Sequence, residues 1–285
     1  MTRIALATCA RQPAPTPGLA TLIDLLAAEG LAVDHAPWQA GAAPFAGADL
    51  VLPLAAWDYA ETPQAFADWI AAVAAAGGRF GNPAGLMLWN LHKSYLCDLA
   101  QRGVAVVPTL ALDRPEAAQI RAELAARGWA QAVLKPAIGQ SGLGVTRIAA
   151  AGPMPPLPEV PVVLQPFLDQ VTAGETSLVF VAGGFSHAVR RNPAAGDFRA
   201  NTQFGASVQA VDPGAARITL ATQALAALTA APLYARVDLL NTPRGPVISE
   251  IELIEPALFL DHAAATMRRG LARRFAAAAA RRPEA

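Results

Sequence analysis

Residues 233–256 read LYARVDLLNTPRGPVISEIELIEP, a pattern that predicts two β-strands joined by a short turn. Side chains two positions apart on a strand point to the same face, so Arg236 lies beside Asp238 and Glu250 lies beside Glu252. The intervening NTPRGP supplies the turn residues. Three carboxylates that converge on one face of an apolar hairpin repel one another unless a cation lies among them.

A divalent metal ion is the cation that such a hairpin favours. Ligands that are all oxygen atoms suit Mg²⁺ or Mn²⁺, and Mg²⁺ is commonly held by a few carboxylates together with substrate phosphates. Asp238, Glu250 and Glu252 are therefore the predicted metal ligands, and Arg236 is a candidate for holding a substrate carboxylate. The alternative for the same residues is an acidic face that is merely solvated.

A glycine-rich loop follows the segment AVLKP and precedes VTRI, and it predicts a phosphate-binding element. Glycines allow backbone N–H groups to crowd toward an anion, and a neighbouring lysine adds a point charge. The spacing matches neither the P-loop of NTPases nor the dinucleotide fingerprint, and an ordinary glycine-rich hairpin is the alternative. The residues of this element are Lys135, Gly139, Gln140, Ser141, Gly142 and Gly144.

Further cations lie on either side of this loop in the sequence. Lys93 belongs to NLHKSYLCDLAQRG, which predicts a helix ending at a glycine, and a lone helical lysine is usually solvated. Arg190, Arg191 and Arg199 flank the turn-rich stretch NPAAGDF, where the alternative is a solvated charged face. Arginines beside a carboxylate-bound metal suit a triphosphate, because both neutralise the charge that develops in phosphoryl transfer.

The composition excludes several classes of partner. The chain has 285 residues, with 22 Lys and Arg against 22 Asp and Glu, so its formal net charge is zero. That balance does not favour nucleic acid or an anionic membrane as the main partner, and no apolar stretch is long enough to span a bilayer. Cys9 and Cys97 form neither a metal motif nor a disulfide framework, which favours a cytoplasmic location.

The order of elements predicts three segments. Residues 1–90 alternate short apolar strands with helical patterns, as in a small α/β domain. Residues 91–168 contain the predicted helix, the glycine-rich loop and the strand VVLQPFL. Residues 169–285 contain a strand pair around GG, a helix, the acidic hairpin and a C-terminal helix. The two later segments carry the candidate metal and phosphate residues.

In these motifs the chain resembles the ATP-grasp superfamily of ATP-dependent carboxylate–amine ligases. NLHKSYL and VLKP resemble the segments that carry the two ATP lysines, and AIGQSGLGV resembles the flexible loop over the triphosphate. VVLQPFL resembles the hinge that binds adenine through backbone groups, and GETSLVFVAGGFSHAVRR with GDFRANTQFG resembles the glutamate and arginine strands. The resemblance implies nucleotide-binding roles for Lys93, Lys135, Gln165, Phe167 and Glu175, catalytic roles for Arg190, Arg199 and Arg236, and metal binding by Asp238, Glu250 and Glu252.

The resemblance also implies a fold and a reaction. The expected fold is α/β (α+β), with an N-terminal Rossmann-like pre-ATP-grasp domain (1–90), a lid and first ATP-binding subdomain (91–168) and a C-terminal metal-binding subdomain (169–285). The expected activity is ATP- and Mg²⁺-dependent activation of an amino-acid-like carboxylate or carbonyl oxygen, followed by coupling or cyclisation with a nitrogen nucleophile. The alternative is an inactive ATP-grasp protein that binds nucleotide. The acceptor and the oligomeric state stay open, with a homodimer as one option.

A narrower resemblance is to the subgroup that contains the cycloserine-forming ligases. The shared features are the WDY tripeptide (Trp57, Asp58 and Tyr59), GGFSHAVRR followed by GDFR, and EIELIEPALFL. Members of the subgroup usually carry an arginine in the strand before WDY, whereas this chain has LPLAAWDY. The tripeptide is either part of the substrate site or an aromatic cluster at the end of a strand.

Overall fold

The computed structural model describes residues 2–281, and its strands form three β-sheets of three, four and five strands. Helices cover these sheets, so the mixed α/β class predicted from the sequence is confirmed. Within residues 2–281, no helix has both the length and the hydrophobicity that a bilayer span requires.

The first sheet is parallel, in the order β2-β1-β3. Its central strand is buried on both faces, which explains the continuous apolar run RIALAT. Ile4 and Leu6 pack in one hydrophobic cluster, whereas Ala5 and Ala7 pack in another with Phe66. The elements are β1 (Arg3–Thr8), α1 (Pro17–Ala28), β2 (Ala32–Pro37), β3 (Leu50–Leu52) and α2 (Pro63–Ala75).

The second sheet is antiparallel, in the order β4-β7-β5-β6. One of its faces is covered by α5, whose Ile120 and Leu124 pack against Leu134 and Leu164 of the sheet. The elements of this part are α3 (Ala84–Leu91), α4 (Tyr95–Gln101), β4 (Leu110–Leu112), α5 (Ala117–Arg127), β5 (Gln131–Pro136), β6 (Thr146–Ala149) and β7 (Val162–Pro166).

The third sheet is also antiparallel, in the order β10-β9-β8-β11-β12. Its last two strands are the predicted hairpin, in which Arg236 lies opposite Glu252 and Asp238 lies opposite Glu250. The hairpin prediction is therefore confirmed, with an irregularity in the pairing directly after Asp238. The elements are β8 (Glu175–Val181), β9 (Gly184–Asn192), β10 (Ser207–Ala210), α6 (Ala215–Ala226), β11 (Tyr234–Thr242), β12 (Gly245–Glu252) and α7 (Ala265–Ala280).

The predicted helix across NLHKSYLCDLAQRG differs from the structure. The helix is interrupted between α3 and α4, where His92 has extended backbone angles. Lys93 lies in this break, and its backbone N–H donates to the carbonyl of Ala137 over 2.7 Å. The break therefore turns Lys93 toward the glycine-rich loop, whereas a continuous helix would not bring its backbone there.

The three sheets fall within the three predicted segments, 1–90, 91–168 and 169–285. The C-terminal helix departs from that division. Leu271 and Phe275 of α7 belong to the same hydrophobic cluster as Ile4 of β1 and Leu22 of α1. The boundaries at residues 90 and 168 stay predictions, because α7 packs both with the first segment and with Val179, Val181 and Tyr234 of its own.

Asn82 connects the N-terminal segment to the acidic hairpin. Its side chain is fully buried, and Nδ2 donates to the carbonyls of Tyr234 (2.9 Å) and Leu253 (2.6 Å). Its Oδ1 accepts from the backbone N–H groups of Leu233 (2.7 Å) and Tyr234 (3.2 Å). One amide thus satisfies four backbone groups that have little access to water.

Replacing Asn82 with alanine is expected to lower the free energy of unfolding by about 3–5 kcal/mol, because buried donors and acceptors lose their partners. Urea denaturation followed by circular dichroism measures this change. Asn241→Ala is the matched control: Asn241 is exposed and makes no side-chain hydrogen bond within residues 2–281. A loss below about 1 kcal/mol for Asn82→Ala would show that the amide is not a structural link.

Candidate active site

A cavity with an empty volume of about 950 Å³, partly open to solvent, lies between the second and third sheets. Its walls contain both lysines predicted to bind phosphate and two of the three predicted metal ligands, Glu250 and Glu252. Of the predicted site residues, it also contains Gly139, Gln140, Ser141, Gly142, Gln165, Phe167, Glu175, Arg199 and Arg236. Gly144, Arg190 and Asp238 do not line it.

The three predicted metal ligands lie together on the hairpin. One oxygen from each of Asp238, Glu250 and Glu252 lies within 4.8 Å of the others. The pairing of β11 with β12 explains this, because Asp238 and Glu250 are directly opposite and Glu252 is two residues further on the same face. A set of three carboxylates fits a hard divalent cation such as Mg²⁺.

Two arginines compensate the charge of Asp238, which is 1 % exposed. Arg191 donates to its Oδ2 over 2.7 Å, and Arg236 donates to its Oδ1 over 2.9 Å. Burial raises the pKa of Asp238, but the two guanidinium groups outweigh burial and hold its pKa below the usual value. The same arginines reach outward, Arg191 to Glu175 over 2.5 Å and Arg236 to Glu252.

The two lysines have different surroundings. Nζ of Lys93 lies 2.6 Å from a carboxylate oxygen of Glu250 and donates to the carbonyl of Gly139 over 2.8 Å. Lys135 forms no ion pair or side-chain hydrogen bond within residues 2–281, although it lines the cavity. Burial lowers the pKa of Lys135, against the opposing field of Glu250. An anion in the cavity would supply the partner that Lys135 lacks.

The glycine-rich loop has a backbone that requires glycine. Gly142 and Gly144 have φ angles of +69° and +70°. A Cβ atom on Gly142 would lie 2.7 Å from the side-chain oxygen of Asn201, and one on Gly144 would lie 2.8 Å from the ring of Pro136. Ser141 also has a positive φ of 59°, and its carbonyl accepts from the side chain of Gln203. The loop therefore packs against the segment that joins β9 to β10 and against Pro136 of β5.

Gln165 and Phe167 lie at the far end of the cavity, where β7 leaves the second sheet. The buried Gln165 donates from Nε2 to the hydroxyl of Thr109 over 2.9 Å. The ring of Phe167 is covered by the guanidinium of Arg147, 3.6 Å from the ring centroid, and is in edge contact with Phe198. This end is apolar and aromatic, as a flat heterocycle requires.

The structure places Arg191 in the cavity instead of Arg190. Adjacent residues on β9 point to opposite faces, and Arg190 turns away to donate to the carbonyl of Ala173. Arg191 is 5 % exposed and bonds Glu175, Ser177 and Asp238. Arg191 therefore lines the cavity and Arg190 does not, and the catalytic role predicted for Arg190 does not fit this position.

Arg199 lines the cavity, and its guanidinium is bound by residues close to it in the sequence. Its guanidinium binds the carboxylate of Asp197, with Nη2 2.7 Å from Oδ2, and lies over the ring of Phe204 at 3.5 Å from the centroid. These contacts orient a cation at the rim of the cavity, where it is part-exposed. In this position the guanidinium of Arg199 could contact an anionic ligand from the solvent side of the cavity.

Comparison with known proteins agrees with this geometry. Residues 4–82 match the family model of the D-cycloserine synthetase DcsG N-terminal domain, and residues 105–260 match that of the prokaryotic glutathione synthetase ATP-grasp domain. The cycloserine biosynthesis protein DcsG of Streptomyces lavendulae is 31% identical over 269 residues, an alignment covering 84% of this chain and 86% of that protein. The chain belongs to the ATP-grasp family.

Solved structures with the ATP-grasp fold support the same assignment. The crystal structure of D-cycloserine synthetase DcsG has a TM-score of 0.84 at 28% identity, and the match covers 97% of this chain and 99% of that chain. The ATP-grasp ligase PsnB, in complex with a precursor variant, Mg and ADP, has a TM-score of 0.67 at 12% identity, covering 97% of this chain and 98% of that chain. The second likeness concerns the fold alone.

These findings confirm the family, the α/β ATP-grasp fold and the class of ATP-grasp ligase predicted from the sequence. The family binds ATP, and the PsnB complex contains both Mg and ADP. The role of each residue in this chain stays a prediction, as do the boundaries between the three segments.

Three residues of the site were missed by the sequence predictions. Arg191 was noted only as part of a basic run, although its pairing opposite Glu175 on β8 places both on one face. Ser249 donates to Glu175 from the position between Ile248 and Glu250 of β12. Glu255 follows the end of β12, where strand alternation no longer applies, and it is only 7 % exposed. No sequence signal distinguishes Glu255 from a loop carboxylate on the surface.

The WDY tripeptide forms part of an aromatic cluster in the N-terminal segment. Asp58 accepts from Nε1 of Trp38 (2.6 Å) and from Nε2 of Gln39 (2.7 Å). The ring of Tyr59 lies 5.1 Å from that of Phe66. Burial, and then the charge of Glu255, raise the pKa of the Tyr59 hydroxyl.

Replacing Glu255 with glutamine is expected to stabilise the metal-free protein at alkaline pH. Burial, and then the charge of Glu252, raise the pKa of Glu255 from 4.5 to about 8. The unfolded chain loses this proton near the ordinary value while the folded chain retains it, so the wild type loses stability as pH rises between the two values.

Urea denaturation in the presence of a chelator measures the difference between the two proteins. We expect similar stability at about pH 5, and an advantage of at least about 1 kcal/mol for Glu255→Gln at about pH 8.5. Glu61→Gln, at an exposed carboxylate, is the control and should show no such trend. An advantage that is equal at both pH values would contradict a raised pKa.

Proposed function

We propose that this chain is an ATP- and Mg²⁺-dependent ligase that activates an amino-acid-like carboxylate or carbonyl oxygen by phosphorylation. The activated carbon is then joined to a nitrogen nucleophile, within the same molecule or from a second one. The proposal is carried by one observation: Glu250 and Glu252, whose carboxylate oxygens lie within 4.8 Å of one from Asp238, line a single cavity together with the two lysines and residues 139–142 of the glycine-rich loop.

The cavity offers a place for each part of ATP. The apolar end near Phe167 suits adenine, and backbone groups beside Gln165 and Phe167 would bind its edge. Lys93 and Lys135 would hold the phosphates nearest the ribose, and the loop at Ser141–Gly144 would cover the triphosphate. Asp238, Glu250 and Glu252 would hold Mg²⁺, which supplies charge neutralisation for the transferring phosphoryl group.

Positioning and charge carry the reaction that we propose. The substrate oxygen attacks the γ-phosphate, ADP leaves, and the nitrogen nucleophile then displaces inorganic phosphate from the activated carbon. No side chain of the protein forms a covalent bond in these steps, and neither cysteine lines the cavity. Arg191, Arg199 and Arg236 would stabilise the negative charge on the transferring group and on the substrate.

The similarity to D-cycloserine synthetase DcsG supports a cyclisation of an amino-acid derivative as one form of this reaction. The apolar LPLAA before WDY gives the N-terminal segment no arginine there, so the substrate need not be that of DcsG. We infer that the substrates are small molecules, not nucleic acid or membrane, that the enzyme works in the cytoplasm, and that a homodimer is one option for its assembly.

Glu250→Gln is expected to lower the rate of ADP release by at least about 100-fold, because a metal ligand is lost while the shape of the side chain is kept. ADP release is measured with a coupled enzyme assay and a panel of amino acids and amines. Glu250 is a better test than Asp238, because Asp238 is buried between Arg191 and Arg236 and its loss would also destabilise the fold.

Glu159→Gln is the control for this experiment, since Glu159 is exposed and lies outside the cavity. A rate of ADP release for Glu250→Gln within about threefold of wild type would contradict the assignment of Glu250 as a metal ligand. Wild-type protein that binds Mg·ATP tightly but releases no ADP with any member of the panel would favour the alternative, a nucleotide-binding protein without catalysis.

A further inference from the structure

Thr109 lies next to Gln165 because of the pairing between two strands of the second sheet. Leu110 of β4 is opposite Leu164 of β7 in an antiparallel register, so the residue before Leu110 is next to the residue after Leu164. Those two residues are Thr109 and Gln165, and Nε2 of Gln165 lies 2.9 Å from the hydroxyl oxygen of Thr109. A bond between side chains thus extends the pairing of β4 with β7 by one position.

The hydrogen bonds of Thr109 determine which way the amide of Gln165 points. The hydroxyl oxygen of Thr109 lies 2.7 Å from the carbonyl oxygen of Val107, and a carbonyl can only accept, so the hydroxyl proton is donated there. The same hydroxyl must therefore accept from Gln165, and the amide atom beside it must be the nitrogen. The side-chain oxygen of Gln165, Oε1, is consequently directed away from Thr109.

Oε1 of Gln165 is an acceptor without a partner at the wall of the cavity. Within residues 2–281 it forms no hydrogen bond, although the residue is only 3 % exposed. It differs from Oε1 of Gln140, which also has no partner but is fully enclosed. Because Gln165 lines the cavity, the exposed part of its side chain faces the space that a ligand would occupy. A ligand group that donates a hydrogen bond there would satisfy this acceptor.

The surroundings of this acceptor are apolar. Val133 of β5 lies opposite Gln165 in the sheet and lines the cavity with it, and Val107 and Phe167 line the same cavity. A single oriented polar group among apolar side chains is the arrangement by which pockets fix the orientation of a ligand. Since this end of the cavity is the place proposed above for adenine, the exocyclic amine of that base is the donor that fits Oε1.

The position of Thr109 is fixed by contacts with other elements. Its backbone carbonyl accepts from Sγ of Cys97 on α4 over 3.4 Å. Val107, which accepts from its hydroxyl, donates its backbone N–H to the carbonyl of Ile248 on β12 over 2.8 Å. Glu250 follows two residues later on that strand. The residue that orients the amide is therefore attached to the hairpin strand that carries two predicted metal ligands.

We propose that Thr109 is a positioning residue that presents the side-chain carbonyl of Gln165 to the base of the nucleotide. An acceptor fixed here selects a purine with an amine at the six position, as in adenine, over one with a carbonyl, as in hypoxanthine, because two facing acceptors leave both unpaired. Without the hydroxyl of Thr109, the amide can turn over and donate to that carbonyl. This inference rests on the base position proposed above, which used backbone groups, and adds the side chain that discriminates between bases.

Isothermal titration with ADP and with IDP, each in the presence of Mg²⁺, tests this proposal. The two bases differ in the group at the six position and in the proton on the adjoining ring nitrogen, and neither nucleotide has a γ-phosphate to transfer. Wild type should bind ADP at least about 30-fold more tightly than IDP. Thr109→Val, which lacks the hydroxyl, should lower that ratio at least about fivefold, whereas Thr109→Ser should keep it within about twofold of wild type.

Two further variants complete the experiment. Thr172→Val is the matched control, because Thr172 is exposed, lies outside the cavity and donates its hydroxyl to the carbonyl of Asp169 over 2.7 Å. It should keep the wild-type ratio. Gln165→Leu removes the acceptor and should lower the ratio as Thr109→Val does. A loss of stability weakens the binding of both nucleotides together, so the ratio separates positioning from a merely structural role.

The proposal is overturned if Thr109→Val keeps the wild-type ratio while Gln165→Leu lowers it, or if wild type binds ADP and IDP equally. If Gln165→Leu also keeps the wild-type ratio, the base position proposed above fails together with this inference. Failure of the ligase proposal has a different signature, because it is read from ADP release and leaves the preference between the two nucleotides unchanged.

Discussion

A carboxylate that is withdrawn from water needs a cation beside it, and this constraint organises the region between the two larger sheets. Asp238 is the most buried acid of the site, and two arginines from different strands hold it ionised. Through Arg191 and Arg236 the same network fixes Glu175 and Glu252. The strands that carry these groups cannot shift without exposing an unpaired charge, so the arrangement is set before any ligand binds.

The ion pairs of the site also link metal binding to nucleotide binding, because the same cations can serve the hairpin carboxylates or the phosphates. Lys93 bridges Glu250 and the backbone of the glycine-rich loop, whereas Lys135 has no acidic partner in the described chain. A metal ion among the hairpin carboxylates would take over part of the compensation that Lys93 and Arg236 now provide. Those side chains would then be available to phosphates and substrate, which couples nucleotide and metal binding through shared charges rather than through a large rearrangement.

The parts of the site that the sequence predicts are those set by local rules. Strand alternation places Asp238, Glu250 and Glu252 together, because hairpin partners are close in the chain. Alternation alone does not say which face of β9 carries the site, and the sequence prediction named Arg190, whereas Arg191 lines the cavity. The pairing of β9 with β8 decides it, and that pairing depends on the whole sheet. Glu255 and the break at Lys93 were missed for a related reason, since tertiary contacts define both.

The fold itself was predictable because its motifs follow in the order of the ATP-grasp family. The packing of α7 on the N-terminal sheet was not predictable from the sequence. The pattern of an amphipathic helix shows which of its faces is buried, but not which surface it packs against. Asn82 likewise has no sequence signature, although its amide connects the N-terminal segment to β11 and to Leu253, directly after β12. ATP-grasp proteins share a nucleotide half, so the fold alone does not specify the substrate of this chain.

The proposed reaction requires a divalent cation at the hairpin, and anomalous diffraction from crystals grown with Mn²⁺ and a non-hydrolysable ATP analogue tests this directly. Mn²⁺ accepts the same oxygen ligands as Mg²⁺ and scatters anomalously. We expect a manganese peak coordinated by Asp238, Glu250 and Glu252 together with phosphate oxygens of the nucleotide. A peak that contacts only the nucleotide, with the three carboxylates still bound to Arg191, Arg236 and Lys93, would contradict it.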